Sequence, residues 1–276
     1  MIGFIGLGWT GEGMCQCVIR AGYEVGVFAR KPHVAQGMMD FGAKYNAPTK
    51  KDLAEHCEII HIVVIDDKQV REVCEGEEGL IANMKPGSVI IIHSTVSRKT
   101  VFAMAELGAP RGVEVIDAPF SGPRPSEKKE ITIMVGCTDE TWERIYPILS
   151  SMGNALHIGP VGSGLTAKIV NNTILSTILY GTTEALIMAE KAGANIDKVV
   201  EVLRMPNTTS NSWVIDNYDV LCDYKRMWRN EKTGPLKTMP KDLSLGLELA
   251  KEVGVEMPVN SAGYGIDYGI APERFQ

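Results

Sequence analysis

The sequence predicts an α/β domain followed by an all-helical domain, and three observations lead to this expectation. Short runs rich in Val and Ile alternate with helical patterns from residue 1 to about 160. After Gly164 the pattern is helical, with no convincing strand. Between the two lies the glycine-rich stretch Gly159–Gly164, so we expect a first domain at 1–162 and a second at 163–276.

Continuously apolar runs suit strands that are covered on both faces of a sheet. Strands that alternate with helices indicate βαβ units and a mostly parallel sheet. The predicted strands are Ile2–Ile5, Glu24–Phe28, Ile59–Ile65, Val89–His93, Val113–Asp117, Ile131–Val135 and one near Ala155–Ile158. The predicted helices between them are Thr10–Ala21, His33–Phe41, Lys68–Val73, Lys99–Leu107 and Glu140–Ser151.

One long helix is predicted to join the two domains. Its pattern runs from about Ser163 to Ala192 and stops before Gly193, a residue suited to the C′ position. About 30 residues at 1.5 Å each span roughly 45 Å, which is longer than a typical globular helix and suits an interdomain spine. Further helices are predicted at Ile196–Arg204, Ser210–Leu221 and Lys241–Val253.

The composition narrows the possible functions. The net charge is -6 and no basic block alternates with aromatic residues, so we expect no nucleic-acid surface. No apolar run approaches the roughly 20 residues that span a bilayer, and the first residues do not resemble a signal peptide, so we expect no membrane segment. Six cysteines without a CxxC pair and five dispersed histidines predict free thiols in the cytoplasm and no metal site.

A glycine pattern follows the first predicted strand. Gly6, Gly8 and Gly11 have the G-x-G-x-x-G spacing, with a strand before them and a helix after them. Such glycines allow a tight turn, close approach to a pyrophosphate, and close packing of helix on strand, which predicts a dinucleotide site. A purely structural turn or a methyltransferase-type nucleotide turn also fits this motif alone. The other residues of the turn expected at the cofactor are Leu7, Trp9 and Thr10.

The end of the second strand bears on the choice of cofactor. An NAD site places an acidic residue there for the ribose hydroxyls, whereas this chain has Ala29, Arg30 and Lys31. A guanidinium can bind a 2′-phosphate, so these residues favour NADP, with NAD as a possible second cofactor. The alternative is a solvated pair of surface cations.

Polar residues follow two later strands. Ser94 and Thr95 could bind a nicotinamide or a substrate oxygen, although a serine here can also cap the next helix, and Ser97 suffices for that. Ser121 and Gly122 offer a hydroxyl and backbone N–H groups, although an ordinary turn explains them as well. We expect Asp117 to anchor its loop rather than to act as a base.

Lys168 is the best catalytic candidate. Asn171 and Asn172 follow it by three and four positions, so all three share one face of the long helix. A lysine that is partly removed from water can exchange protons near neutral pH. The alternative is a surface lysine beside two helix-face amides, and periodicity alone does not separate the two.

Taken in order, these stretches resemble the β-hydroxyacid dehydrogenase family, which includes 3-hydroxyisobutyrate dehydrogenases and several semialdehyde reductases. The matching segments are GFIGLGWTGEGM, STVS, DAPFSG, GSGLTAKIVNN and KDLSLGLELA. The resemblance implies a Rossmann domain, a long interdomain helix and a helical domain that forms homodimers or homotetramers. Three positions depart from the family pattern, namely Thr10, Arg98 and Pro123, and so do the stretch DYKRMWRNEKTGPLK and the tail GYGIDYGIAPERFQ.

The resemblance also implies roles for individual residues. Lys168 would be the general acid/base for a small carboxylate-bearing substrate. The residues implied to bind that substrate are Thr95, Ser121, Gly122, Asn171, Asn172 and Trp213. Those implied to contact the cofactor, besides the glycine turn and residues 29–31, are Val64, Ile65, Thr95 and Lys241.

We therefore expect an NADP(H)-dependent oxidoreductase that interconverts a small β-hydroxy acid and its semialdehyde or β-oxo acid. One alternative is an imine reductase on the same scaffold, and Lys168 disfavours it because those enzymes generally carry Asp or Tyr at this position. A second is a non-catalytic NADP-binding protein, which would bind cofactor without turnover.

Overall fold

The computed structural model describes residues 1–126, 128–205 and 235–264. The chain divides into two compact units, Met1–Lys168 and Ile169–Gln276. Within the described residues, no helix is both long enough and apolar enough to cross a membrane.

The first unit is built on one mixed sheet with helices on its faces. Six strands lie in the order β3-β2-β1-β4-β5-β6, all neighbours parallel, as in a Rossmann fold. β8 joins β6 and β7 in antiparallel pairs and pairs with β9 in parallel. The strands are β1 Ile2–Ile5, β2 Val25–Phe28, β3 Tyr45–Asn46, β4 Ile59–Ile62, β5 Val89–Ile92, β6 Glu114–Asp117, β7 Phe120–Ser121, β8 Ile131–Gly136 and β9 Gly153–Gly159.

Seven helices connect these strands. They are α1 Trp9–Arg20, α2 Pro32–Phe41, α3 Lys50–His56, α4 Asp67–Cys74, α5 Leu80–Asn83, α6 Arg98–Gly108 and α7 Asp139–Leu149, with a short 3-10 turn at Ala109–Arg111. The apolar side chains of the sheet pack in two clusters, one with α1, α2 and α7 and the other with α3 to α6. Because the central strands are covered on both faces, β4 and β5 are buried throughout, which explains the unbroken apolar run of β5 and the isoleucines on either side of His61 in β4.

The prediction of an α/β domain with a mostly parallel sheet is confirmed, and the differences are local. β3 and β7 have two residues each, too few to show a period, and neither was predicted. α3 was also missed, although Thr49 and Asp52 form a capping box at its start. The predicted strand Ile59–Ile65 is too long, because β4 ends at Ile62 and the chain turns away to bond with Ser94.

The second unit is helical in the described residues. α8 Ser163–Lys191 begins in the first unit and continues into the second, and Gly193 after it has φ +83°, which suits the predicted C′ glycine. α9 Ile196–Leu203, α10 Pro235–Val253 and α11 Pro258–Tyr264 follow. The predicted start of α10 at Lys241 is wrong, because the helix begins at Pro235 and continues through Pro240. The predicted helix Ser210–Leu221 lies outside the described residues.

Five of the six cysteines lie in the described residues, and all five are buried free thiols. Burial raises the pKa of Cys15, Cys74 and Cys137 to about 12. It raises the pKa of Cys57 to about 11. In this part of the chain the thiols therefore serve as small apolar core residues.

Candidate active site

The turn after β1 is closed by contacts between backbone atoms. Gly6 has φ +89°, and a Cβ there would clash with the carbonyl oxygen of Val63. A Cβ on Gly11 would clash with the carbonyl oxygen of Gly6. These two glycines therefore fix the shape of the turn and hold the first turn of α1 against the end of β4.

Gly8 is different, because the protein itself does not require a glycine there. Its backbone is extended, with φ -80° and ψ -168°, and no atom lies within 4 Å of a Cβ built on it. Gly8 is the N-cap of α1 and gives the helix no side-chain cap. An anionic ligand close to the backbone would explain both the missing side chain and the missing cap, so the turn fits a dinucleotide diphosphate.

A cavity of about 830 Å³ opens beside this turn within the first unit. It is large enough for a nucleotide. It brings together many of the residues predicted at the cofactor, namely Gly6, Leu7, Gly8, Ala29, Arg30, Lys31, Val64 and Ile65. His33, Val63, Gln69 and Glu72 also line it and were not predicted, because only their spatial neighbours reveal them. Trp9, Thr10 and Gly11 form the first turn of α1 beside the cavity.

The loops after β4 and β5 are joined by Ser94. Its hydroxyl donates to the carbonyl oxygen of Val64 at 2.7 Å and accepts from the N–H of Val64 at 3.0 Å. Ser94 thus holds two loops together, and Thr95 follows it half-buried. The expected cap by the Ser97 hydroxyl is wrong, because Ser97 makes no side-chain cap and its N–H instead donates to Asp67 at 2.9 Å.

A buried histidine pair lies across β4, β5 and the end of β6. Nδ1 of His93 is 2.7 Å from the carbonyl oxygen of Ala118, so it carries a proton and donates. Nε2 of His93 then accepts from Nδ1 of His61 at 2.8 Å. Burial lowers the pKa of His93 to about 4, and burial with the neighbouring His93 lowers that of His61 well below its usual value. Both rings are therefore neutral near pH 7, and sequence patterns gave no sign of the pair.

Asp117 anchors the beginning of α8, as predicted for its loop. Its two carboxylate oxygens accept from the backbone N–H of Gly162 and of Leu165, both at 2.6 Å. Burial raises the pKa of Asp117 to about 6, and the backbone hydrogen bonds oppose that rise. A Cβ on Gly164 would clash with the carbonyl oxygen of Met134, so the first turn of α8 packs directly on β8.

Lys168 lies in the second turn of α8, and its Nζ donates to Oγ of Ser121 at 2.9 Å. Gly122 follows Ser121 with φ +124° and lies at the surface. The structure thus brings Lys168 and Ser121 together, which periodicity alone could not establish.

The second unit holds the two predicted asparagines in a polar chain. Asn171 donates to Oδ1 of Asn172 at 3.0 Å, and Asn172, which is buried, donates to Oδ2 of Asp242 at 2.9 Å. Lys241 lies 3.4 Å from Oδ1 of Asp242. Asp242 was not predicted, although it adjoins Lys241 in the segment KDLSLGLELA and could have been found there. Trp213 lies outside the described residues.

Comparison with known proteins identifies related families and folds. The family model described as "NAD binding domain of 6-phosphogluconate dehydrogenase" matches residues 1–162. The model described as "NAD-binding of NADP-dependent 3-hydroxyisobutyrate dehydrogenase" matches residues 162–266.

Two curated relatives cover nearly the whole chain. A 3-hydroxyisobutyrate dehydrogenase from Pseudomonas aeruginosa is 29% identical, over 94% of this chain and 88% of that protein. A 2-(hydroxymethyl)glutarate dehydrogenase from Eubacterium barkeri is 30% identical, over 94% of this chain and 85% of that protein.

Solved structures give the fold. A 3-hydroxyisobutyrate dehydrogenase from Salmonella typhimurium superposes with a TM-score of 0.81 at 24% identity, covering 99% of this chain and 94% of that one. An imine reductase from Myxococcus stipitatus shares the fold more distantly, with a TM-score of 0.68 at 17% identity, covering 99% of this chain and 94% of that one. Because the two family models together match residues 1–266, this chain belongs to the 3-hydroxyisobutyrate dehydrogenase family of NAD(P)-dependent hydroxyacid dehydrogenases.

Proposed function

We propose that the protein is an NADP(H)-dependent oxidoreductase that interconverts a small β-hydroxy acid and its semialdehyde or β-oxo acid. The observation that carries this proposal is the 2.9 Å hydrogen bond between Lys168 and Ser121. It joins a proton-carrying side chain to a hydroxyl that can bind a substrate oxygen. The names of the two curated relatives denote hydroxy compounds that bear a carboxylate, which supports this substrate class.

We assign the proton transfer to Lys168. Bound NADPH would supply the hydride, and that chemistry belongs to the cofactor. In the reducing direction Nζ of Lys168 gives a proton to the developing alkoxide oxygen, and in the oxidising direction it accepts the hydroxyl proton. Ser121 holds the ammonium group in place, and Thr95, Gly122, Asn171 and Asn172 are proposed to orient the substrate.

The NADP preference rests on Arg30 and Lys31, which line the cavity at the end of β2. A guanidinium can bind a 2′-phosphate through two parallel hydrogen bonds. The carboxylate of Glu72 also lines this cavity, so the two cations give a local net positive charge. The cofactor contact of Lys241 and the substrate contact of Trp213 remain predictions, as do the domain boundary at 162/163, a homo-oligomeric assembly and a cytoplasmic location.

The test is a screen of NADPH oxidation against glyoxylate, succinic semialdehyde, methylmalonate semialdehyde, tartronate semialdehyde and sulfonated analogues, with NADH in parallel. We expect turnover with at least one of these compounds and a preference for NADPH. A preference for NADH would contradict the role of Arg30. Binding of cofactor without turnover across the panel would favour a non-catalytic NADP-binding protein.

An imine reductase on this scaffold is the nearest alternative. We place it second because Lys168 stands where those enzymes generally carry Asp or Tyr. Adding a cyclic imine to the same screen separates the two, since turnover of the imine alone would contradict the hydroxyacid assignment.

A further inference from the structure

Arg124 and Pro125, which follow β7, lie directly on helix α1. We name Pro123, Arg124 and Pro125 the strap. Pro125 is buried, and a Cβ on Gly13 would lie 2.5 Å from its carbonyl oxygen and 3.3 Å from Cγ of Arg124. Arg124 and Pro125 therefore account for Gly13, a glycine that the G-x-G-x-x-G spacing does not require.

Arg124 of the strap faces the first turn of α1. Its Nη2 lies 3.1 Å from Oε1 of Glu12, and its Cζ lies 5.9 Å from the ring centroid of Trp9. The same Glu12 oxygen accepts from Nε2 of Gln16 at 3.0 Å. The side chains of Arg124 and Glu12 are only 36% and 38% exposed, so this pair is screened less than two free surface charges.

Glu12 is an unfavourable neighbour for an anion. It lies in the first turn of α1, where the backbone N–H groups and the helix dipole favour negative charge on a ligand. A free carboxylate there would repel the diphosphate that the open space at Gly8 fits. The guanidinium of Arg124, 3.1 Å away, compensates this charge and so weakens the repulsion.

We propose that Arg124 is a positioning residue for cofactor binding, because its ion pair with Glu12 keeps the N-terminus of α1 favourable for a dinucleotide diphosphate. The proposal rests on the cofactor site described under the proposed function. The diphosphate is common to NADH and NADPH, so Arg124 affects both cofactors equally. Arg30, by contrast, would affect NADPH alone.

The test measures the Kd of NADPH and of NADH by cofactor fluorescence for five proteins: wild type, R124Q, R124K, E12Q and the double variant E12Q/R124Q. R124Q should raise both Kd values about 5-fold or more. E12Q should bind no more weakly than wild type, and R124K should retain most of the affinity. The double variant should return to within about 2-fold of wild type, because the uncompensated carboxylate is gone. Thermal unfolding of each variant confirms that it is folded.

Two outcomes would overturn the proposal. If R124Q binds both cofactors as wild type does, the ion pair has no part in binding. If the double variant is as weak as R124Q, Arg124 contacts the dinucleotide itself and does not act through Glu12. Wild-type protein that binds neither cofactor would contradict the proposed function and this inference together, whereas binding without turnover would contradict only the proposed reaction.

Discussion

The glycine turn, residues Gly6–Gly11, and the start of α8, residues Gly162–Lys168, both lie where a parallel strand ends. They are held in different ways. In the glycine turn, backbone lies against backbone at Gly6 and Gly11, so the positions that set its shape carry no side chain. At the start of α8, the buried carboxylate of Asp117 holds the helix, and Lys168 donates a hydrogen bond to the side chain of Ser121.

This difference decides what a substitution can do. At its glycines, the turn can be damaged only by adding atoms, because a glycine has no side chain to remove. The start of α8 can be damaged by removing a few atoms of a side chain whose partners are distant in the sequence. Variants at the start of α8 should therefore change turnover or stability, whereas a variant at Gly8 of the glycine turn should change cofactor binding.

The largest effect is expected at Lys168. Lys168→Ala should lower turnover between about 100-fold and 10,000-fold, because it removes the proposed proton donor. Binding of NADPH should change little, since the cofactor residues remain. Steady-state kinetics on the substrate found by the screen measure this, with Lys191→Ala at the exposed end of α8 as the matched control. Turnover near the wild-type value would remove Lys168 from the reaction.

Asp117→Ala should lower the free energy of unfolding by about 4 kcal/mol, because two buried backbone N–H groups lose their acceptor. Chemical denaturation measures the change. Asp40→Ala, at an exposed position of α2, should cost less than about 0.5 kcal/mol. Equal losses in the two variants would show that the buried carboxylate does not hold α8.

Acid should also lower the free energy of unfolding through the buried pair of His61 and His93. The pKa of His93 falls from 6.5 to about 4 on folding, so the unfolded chain binds more protons in that window and stability falls as the pH falls from 6.5 to 4. The pKa of Asp117, raised from 3.8 to about 6, acts in the opposite direction. Because wild type and the histidine variants all carry Asp117, its effect cancels when they are compared.

Between pH 6.5 and 4, the free energy of unfolding of His93→Gln should therefore fall by about 3 kcal/mol less than that of wild type. The free energy of unfolding, measured by denaturation at each pH, gives the difference. The exposed His33→Gln, measured in parallel, is the control for replacing a histidine at the surface. An unchanged pH dependence in His93→Gln would mean that the ring is not held neutral.

The smallest effect is expected at Gly8, and it should appear only on binding. Gly8→Ala should leave the free energy of unfolding near the wild-type value, since a Cβ meets nothing within 4 Å. It should weaken cofactor binding about 10-fold, or about 1.4 kcal/mol, by occupying the space of the diphosphate. Gly37→Ala, equally open but in α2, is the control and should not change the Kd. Unchanged binding in Gly8→Ala would place the diphosphate elsewhere.

The two regions also differ in how much of them the sequence could predict. The glycine turn is local, so spacing alone located Gly6, Gly8 and Gly11, and most of the strands followed from their apolar runs. The partners at the start of α8 lie 45 residues from Gly162 and 47 from Lys168, and no periodicity connects them. Asn172 and Asp242 are 70 residues apart. Sequence thus identified candidate side chains, whereas their partners depended on the packing of distant elements.

The buried thiols have a consequence for chemical durability. Only the thiolate reacts readily with oxidants and alkylating agents. With pKa values of about 11 and 12, Cys57, Cys15, Cys74 and Cys137 have a thiolate fraction on the order of one in ten thousand or less at pH 7. These four sulfurs are therefore poorly placed to enter the path from sulfenic to sulfonic acid while the first unit stays folded. A protein that exchanges electrons through a nucleotide thus keeps these side chains outside its own redox chemistry.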